Sequence, residues 1–202
     1  MHTILITGFA PFGGQKQNPS WEAVKGLPDC INGAAIQKAL LPVVYEEASL
    51  TLMAQLEQFH PRLLLNVGQA GGSSGIRVER AALNVMDANV PDNSGRRCTG
   101  ESIRPEGPGG YLSPLDADGL CQTIAQTGIP AEVSYHAGTY VCNCVFYTGL
   151  HAAATQYPGM KAGFLHLPYM EGQSVPENTA AFPLKQLEKA LWAAIAFLVQ
   201  KI

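Results

Sequence analysis

Two hydrophobic rhythms alternate along this chain. Residues 3–7, 63–67, 76–85, 131–135 and 163–167 are short apolar or alternating runs bounded by Gly, Pro and Asn, and they read as strands. The first, second and last are nearly all apolar, the pattern of strands covered on both faces. Between them the period lengthens to that of a helix. Residues 46–59 place Ala48, Leu52, Leu56 and Phe59 on one face, and Pro61 stops the run. Asn18-Pro19-Ser20 offers a cap and an early Pro ahead of Trp21-Glu22-Ala23-Val24. Residues 116–126, 142–156 and 182–199 have similar helical character. Strands alternating with helices predict an α/β domain around a mostly parallel sheet.

Residues 91–114 break the rhythm. They are rich in Gly, Pro, Ser, Asn and Arg and read as a long loop or excursion from the core, a feature that is often functional. No internal repeat and no second domain stand out, so residues 1–202 are read as a single domain. With 47% hydrophobic and 14% charged residues, the chain is that of a compact globular protein. The net charge of -3 comes without blocks of like charge, which points away from nucleic acid or an anionic membrane as partner. The longest apolar stretch, 190–199, is too short to span a bilayer. The first residues lack a basic region, and Gly8 and Pro11 interrupt them, so they read as a strand and turn rather than a secretory signal. Five cysteines without paired spacing suit reduced thiols and a cytoplasmic location.

Several residues have the makings of a thiol-based site. A cysteine nucleophile needs a base nearby and donors for an oxyanion. Cys142 lies in Ala137-Gly138-Thr139-Tyr140-Val141-Cys142-Asn143, where a strand pattern gives way to a helix. The positive end of the helix dipole there is expected to lower the pKa of the thiol. Cys144 is two residues away and competes for the same role, or for a metal shared with Cys142, although no second cysteine pair accompanies them. Of the five histidines, His166 ends an apolar strand before Pro168. Sites in open α/β sheets gather at such ends, and a buried structural histidine is an equal alternative. Glu79 interrupts a strand-like run and is either the orienting carboxylate of a histidine or the salt-bridge partner of Arg77 or Arg80. The glycine-bearing turns after residues 7 and 67 match no phosphate-binding pattern. Phe9 and Phe12 on the first of them suit an apolar wall against a small flat ligand.

Taken in order, these blocks resemble the pyroglutamyl peptidase I family of cysteine peptidases, from Ile4 to about Gln173. Thr7-Gly8-Phe9-Ala10-Pro11-Phe12-Gly13-Gly14 and Asn18-Pro19-Ser20-Trp21-Glu22 are similar to the family's opening. Gly68-Gln69-Ala70-Gly71-Gly72 with Glu79-Arg80-Ala81-Ala82-Leu83-Asn84 is similar to the block of the catalytic glutamate. Pro91-Asp92-Asn93, Glu106-Gly107-Pro108, the block around Cys142 and Gly163-Phe164-Leu165-His166-Leu167-Pro168-Tyr169 follow. The resemblance implies Cys142 as nucleophile, His166 as general base then acid, and Glu79 as its orienting carboxylate. It implies Phe9, Phe12, Val90, Tyr140 and Val141 as the wall of a pyroglutamyl pocket, with Gln69 hydrogen-bonding the lactam. It also implies a three-layer α/β/α sandwich like that of purine nucleoside phosphorylases, a homotetramer, pyroglutamyl peptides as substrate, and no metal or cofactor.

The chain departs from the family pattern at Asn89 and Ser73, where the family commonly has Arg. A neutral Asn89 implies a weaker positive field and a less populated thiolate at Cys142. A weakly active or inactive binding homologue of the same fold is the alternative function, and a nucleoside-phosphorylase-like transferase is a more distant one.

Overall fold

The computed structural model describes residues 2–202. The chain begins β1 (Thr3–Phe9), α1 (Pro19–Lys25), β2 (Cys30–Ile31), β3 (Ala34–Leu41), α2 (Tyr45–Phe59), β4 (Leu63–Gln69) and β5 (Ile76–Glu79). Four short strands follow: β6 (Ala81–Leu83), β7 (Met86–Asp87), β8 (Thr99–Glu101) and β9 (Gly110–Leu112). The remainder is α3 (Ala117–Ala125), β10 (Ala131–Ser134), α4 (Val141–Thr155), β11 (Lys161–Leu167), β12 (Tyr169–Met170), β13 (Ala181–Phe182) and α5 (Leu184–Val199).

Seven strands make the central sheet in the order β10-β5-β11-β4-β1-β3-β2. β3, β1, β4 and β11 run parallel, whereas β5 lies antiparallel to β11 and β10 follows β5 in parallel. Short β2 is an antiparallel edge. Alternation along the strands sorts the apolar residues into two cores. Ile4, Ile6, Leu63, Leu65, Val67, Leu165 and Leu167 meet α1, α3 and α5 on one face. Leu5, Phe9, Leu64, Ala162 and Phe164 meet α2 and α4 on the other. The architecture is therefore α/β with helices on both faces of a mostly parallel sheet.

Local chemistry starts several helices where expected. Asn18 accepts the Ser20 N–H at 3.1 Å ahead of Pro19, and Asp116 accepts the Gly119 N–H at 3.0 Å. α2 has no side-chain cap of its own. Its first N–H, from Tyr45, is instead taken at 3.1 Å by Asp92, far along the chain. The other Asp92 oxygen gathers N–H groups of Ser94 and Arg96, which folds the Pro91-Asp92-Asn93 turn against α2.

Two expectations change, and one strand was not anticipated. The run 76–85 does not stay in one sheet: it divides at Arg80, after which β6 leaves to pair with β9. The stretch 91–114 is not wholly irregular, because β8 and β9 pair with β7 and β6. Strand β3 had no clear signal. Its Ala-Ala-Ile-Gln-Lys-Ala-Leu-Leu composition suits a helix equally well, and parallel pairing along β1 makes it a strand.

Candidate active site

The sheet face toward α4 carries the polar residues. In register, His166 lies beside Gly68 of β4 and opposite Arg77 of β5, while Glu79 lies opposite Phe164, one step deeper on the same face. That diagonal brings His166 Nδ1 to Glu79 Oε1 at 2.8 Å, with both side chains buried. An ionised carboxylate only accepts, so Nδ1 carries the proton and Nε2 is left as an acceptor. The antiparallel turn of β5 creates this geometry. The salt-bridge alternative for Glu79 is not what forms: Arg77 Nε pairs with Glu132 at 2.9 Å.

Burial pushes the Glu79 pKa up, but the hydrogen bond and charge of His166, the Ser134 hydroxyl and the Arg77 charge together hold it below its ordinary 4.5. Glu79 Oε2 is buried without a formed hydrogen bond. Ser134, paired with Glu79 across β10, therefore acts on it as a neighbouring dipole rather than a bonded donor.

Cys142 is the second residue of α4, a helix whose N-cap Tyr140 makes no side-chain bond to its first turn. Cys144 N–H bonds back to Tyr140 O at 3.2 Å, leaving the N–H groups before it at the open helix end. Cys142 as a residue is half-buried. Burial first, then the Glu79 charge, pushes its pKa up to about 12, against the opposing pull of the Gln69 and Cys142 N–H groups. The expected lowering by the helix end is thus real in sign and overcome in size. Removing most of the water around a thiolate, beside a carboxylate and with no cation acting on it, costs more than two N–H dipoles return.

Gly68 makes room for the sulfur. A Cβ there would sit 2.9 Å from Cys142 Sγ and 2.7 Å from the tip of Phe164. Since Gly68 is also the register partner of His166, thiol and imidazole flank the same backbone position. Cys144 points elsewhere, toward Ser49 Oγ at 3.4 Å and toward Met86 and the Tyr45 carbonyl at 3.9 Å. The two thiols do not share a site.

Glu79, Cys142 and His166 open onto one cavity of about 570 Å³, together with Phe9, Phe12, Gln69, Tyr140 and Val141. Positive φ angles of 59° and 77° at Gly13 and Gly14 turn the loop that carries Phe12. Val90 is not brought to this wall: it is exposed, as is Asn89, and Val43 lines the cavity alongside Val141. Ser73, at the other departure from the family pattern, is buried and bonds Ala70 O and Gly75 O at 3.0 Å, closing the turn before β5.

A family model described as pyroglutamyl peptidase matches residues 2–201. The chain belongs to the pyroglutamyl peptidase family. Pyrrolidone-carboxylate peptidase 1 of Streptococcus pneumoniae is 43% identical over 197 residues, covering 97% of this chain and 92% of the relative. The crystal structure of Bacillus amyloliquefaciens pyroglutamyl peptidase I is 38% identical with a TM-score of 0.93, covering 97% of this chain and 96% of that one. Pyrrolidone carboxyl peptidase from Thermococcus litoralis is 36% identical with a TM-score of 0.93, covering 100% and 97%.

Some lining residues were not assigned to the site by the sequence pattern. Gln15, Asn18, Arg77, His136 and Tyr169 reach the cavity from separate segments. Asn143 is buried beside the nucleophile, where it accepts the Leu83 N–H and donates to Leu83 O and Val85 O at 2.9–3.0 Å. It thereby fastens the strand region after Glu79 to α4. Its adjacency to Cys142 was the available clue, but the partner strand lies 60 residues away.

Proposed function

We propose that Cys142, His166 and Glu79 carry out the hydrolysis for which this family is named, the removal of an N-terminal pyroglutamyl residue from a peptide. Family membership over nearly the whole chain supports the activity. The observation that carries the residue assignment is the Glu79–His166 hydrogen bond in the same cavity as the thiol at the start of α4.

Burial of Cys142 favours its neutral form. Cys142 rests as a neutral thiol, and its proton passes to His166 Nε2 as sulfur attacks the scissile carbonyl. Glu79 stabilises the imidazolium that forms. The N–H groups of Gln69 and Cys142, which favour negative charge at the sulfur, are the donors assigned to the oxyanion. Breakage of the C–N bond with proton transfer from His166 releases the shortened peptide and leaves a thioester. Water, deprotonated by the same imidazole, hydrolyses the thioester and returns the thiol.

Phe9, Phe12, Tyr140 and Val141 supply flat or apolar walls suited to the ring, and Gln69 supplies a polar group for the lactam. A pyroglutamyl residue has no charged amine, so the pocket needs no carboxylate to receive an ammonium. Val90 enters only as a surface residue that a bound peptide would have to draw inward.

Residues 1–202 are taken as a single peptidase domain, in keeping with two cores built on one sheet. A cytoplasmic homotetramer is the corresponding assembly. Five free cysteines suit a reducing compartment, and exposed Leu83 and Leu112 on paired strands suit burial against another copy. Sedimentation velocity would test the assembly. For the activity, release of a chromogenic amine from a pyroglutamyl anilide is expected, with loss on the order of 10³-fold or more in Cys142→Ala. Cys144→Ala is expected to keep most of the rate. A rate lost at Cys144 and kept at Cys142 would overturn the assignment.

A further inference from the structure

Resting on the reading that this cavity takes a pyroglutamyl ring, we propose that Gln173 is a positioning residue that sets the hydrogen-bonding polarity of Gln69. A glutamine carboxamide offers a ligand either an acceptor or a donor, depending on a flip about its last bond. Gln173 has no such freedom. Its Oε1 accepts the Met170 N–H at 2.9 Å, and its Nε2 donates to the Gln17 carbonyl at 3.3 Å. The first partner can only donate and the second can only accept, so the reverse orientation would oppose like groups at both ends.

The third bond transmits this orientation to the site. Gln173 Nε2 also donates to Gln69 Oε1, at 3.2 Å. With a donor facing it, Gln69 must present oxygen to Gln173 and keep its own Nε2 for another partner. That nitrogen meets no protein acceptor among the described residues, although Gln69 lines the cavity. Neighbouring polar side chains are already committed. Asn18 Oδ1 accepts from the Ser20 N–H and hydroxyl while its Nδ2 donates to Ala10 O, and the Tyr140 hydroxyl donates to Pro91 O.

Gln69 therefore faces the ligand as a donor, and its complement is an acceptor. Within a pyroglutamyl ring that is the lactam C=O, not the lactam N–H. Gln173 touches neither the ring nor the reacting atoms and acts through Gln69. The same segment is tied to the loop carrying Phe12 by the bonds between Gln15 and Ser174, so the ring wall and the polar contact are held by one strap.

Two substitutions of similar size separate polarity from packing. Gln173→Met removes the donor and leaves Gln69 free to turn. Gln173→Glu replaces the donor by an acceptor, which draws Gln69 Nε2 toward itself and turns Gln69 Oε1 against the lactam oxygen. On a pyroglutamyl anilide, kcat/KM is expected to fall about 3- to 10-fold in Gln173→Met and about 30- to 100-fold in Gln173→Glu, since a mismatched polar group costs more than an absent one. The rate of Cys142 alkylation by iodoacetamide should stay within about twofold of wild type in both, because the change is not at the sulfur.

In a Gln69→Leu background the two variants should become alike. Equal losses in Gln173→Met and Gln173→Glu, or a Glu penalty that persists undiminished in Gln69→Leu, would overturn the proposal. If Gln173→Glu does not fold, the cycle between Gln173→Met and Gln69→Leu decides: strict additivity overturns the coupling, and a loss absent from Gln69→Leu supports it. A folded wild type that does not turn over the anilide at all would remove the activity reading itself. Turnover with additive variants would remove only the role of Gln173.

Discussion

The two faces of the central sheet are built from the same seven strands and do different work. Toward α1, α3 and α5 the inward positions are Ile4, Ile6, Leu63, Leu65, Val67, Val78, Leu165 and Leu167, and all are apolar. Toward α2 and α4 the intervening positions include Thr7, Asn66, Gly68, Glu79 and His166 among Leu5, Leu64 and Phe164. Thr7 Oγ1 donates to Asn66 Oδ1 at 2.8 Å, Glu79 pairs with His166, and Asn66 Nδ2 is buried with no partner. One face is packing throughout. The other gives up apolar burial for polar groups that need partners, and its chemistry lies at the end where the strands meet the start of α4. A single residue step along β11 crosses from one role to the other.

That step offers the sharpest way to break the comparison. His166→Ala is expected to lower kcat by about 10³–10⁴-fold, near the upper range of acid–base catalysis, while the chain stays folded. Leu165→Ala, its neighbour facing the opposite core, is expected to cost about 2–5 kcal/mol of stability and leave the kcat of the folded fraction nearly unchanged. Paired measurements of urea unfolding and anilide turnover test this. If both variants lost stability and rate alike, the faces would not be functionally separate.

Glu79→Gln sharpens the same contrast through pH. A rate loss on the order of 10²-fold is expected, because the amide orients the imidazole but does not stabilise its cation. Glu79 is held below its ordinary 4.5 in the folded protein. Its ionisation therefore favours folding at higher pH, and that contribution is lost as pH falls through the lowered value. Wild type should lose stability relative to Glu79→Gln on acidification below about pH 4.5. A stability difference independent of pH across that range would mean that Glu79 is not preferentially ionised in the fold.

The smallest effect is expected at Asn89→Arg. The raised thiol pKa agrees with a site that no cation supports. Asn89 is exposed and outside the cavity lining, so a guanidinium there acts largely through water. The pH profile of Cys142 alkylation should move downward by on the order of a few tenths of a unit. A shift of a full unit or more would show that residue 89 reaches the sulfur, and that the surface loop belongs with the catalytic face.

Much of this was legible locally. Apolar runs marked β1, β4 and β11 as strands covered on both sides, and Asn18 and Asp116 marked helix starts, because period and capping are short-range properties of the chain. Ordered motif blocks singled out Cys142, His166 and Glu79. The sequence by itself therefore determined the fold class, the family and the candidate catalytic set. Tertiary structure decided the rest. Which way β5 runs beside β11 determines whether Glu79 meets His166 or an arginine, and no local pattern encodes strand direction. β3 became a strand only by pairing with β1. The thiol pKa depends on burial at the strand ends and on a carboxylate 63 positions earlier in the chain, and these outweigh the helix end that the local sequence suggested. Val90 stayed at the surface and Val43 took a place in the wall, because a pocket is assembled from whatever segments the packing brings together. Short-range order is written in neighbouring residues, whereas register, strand direction and desolvation exist only once distant segments meet.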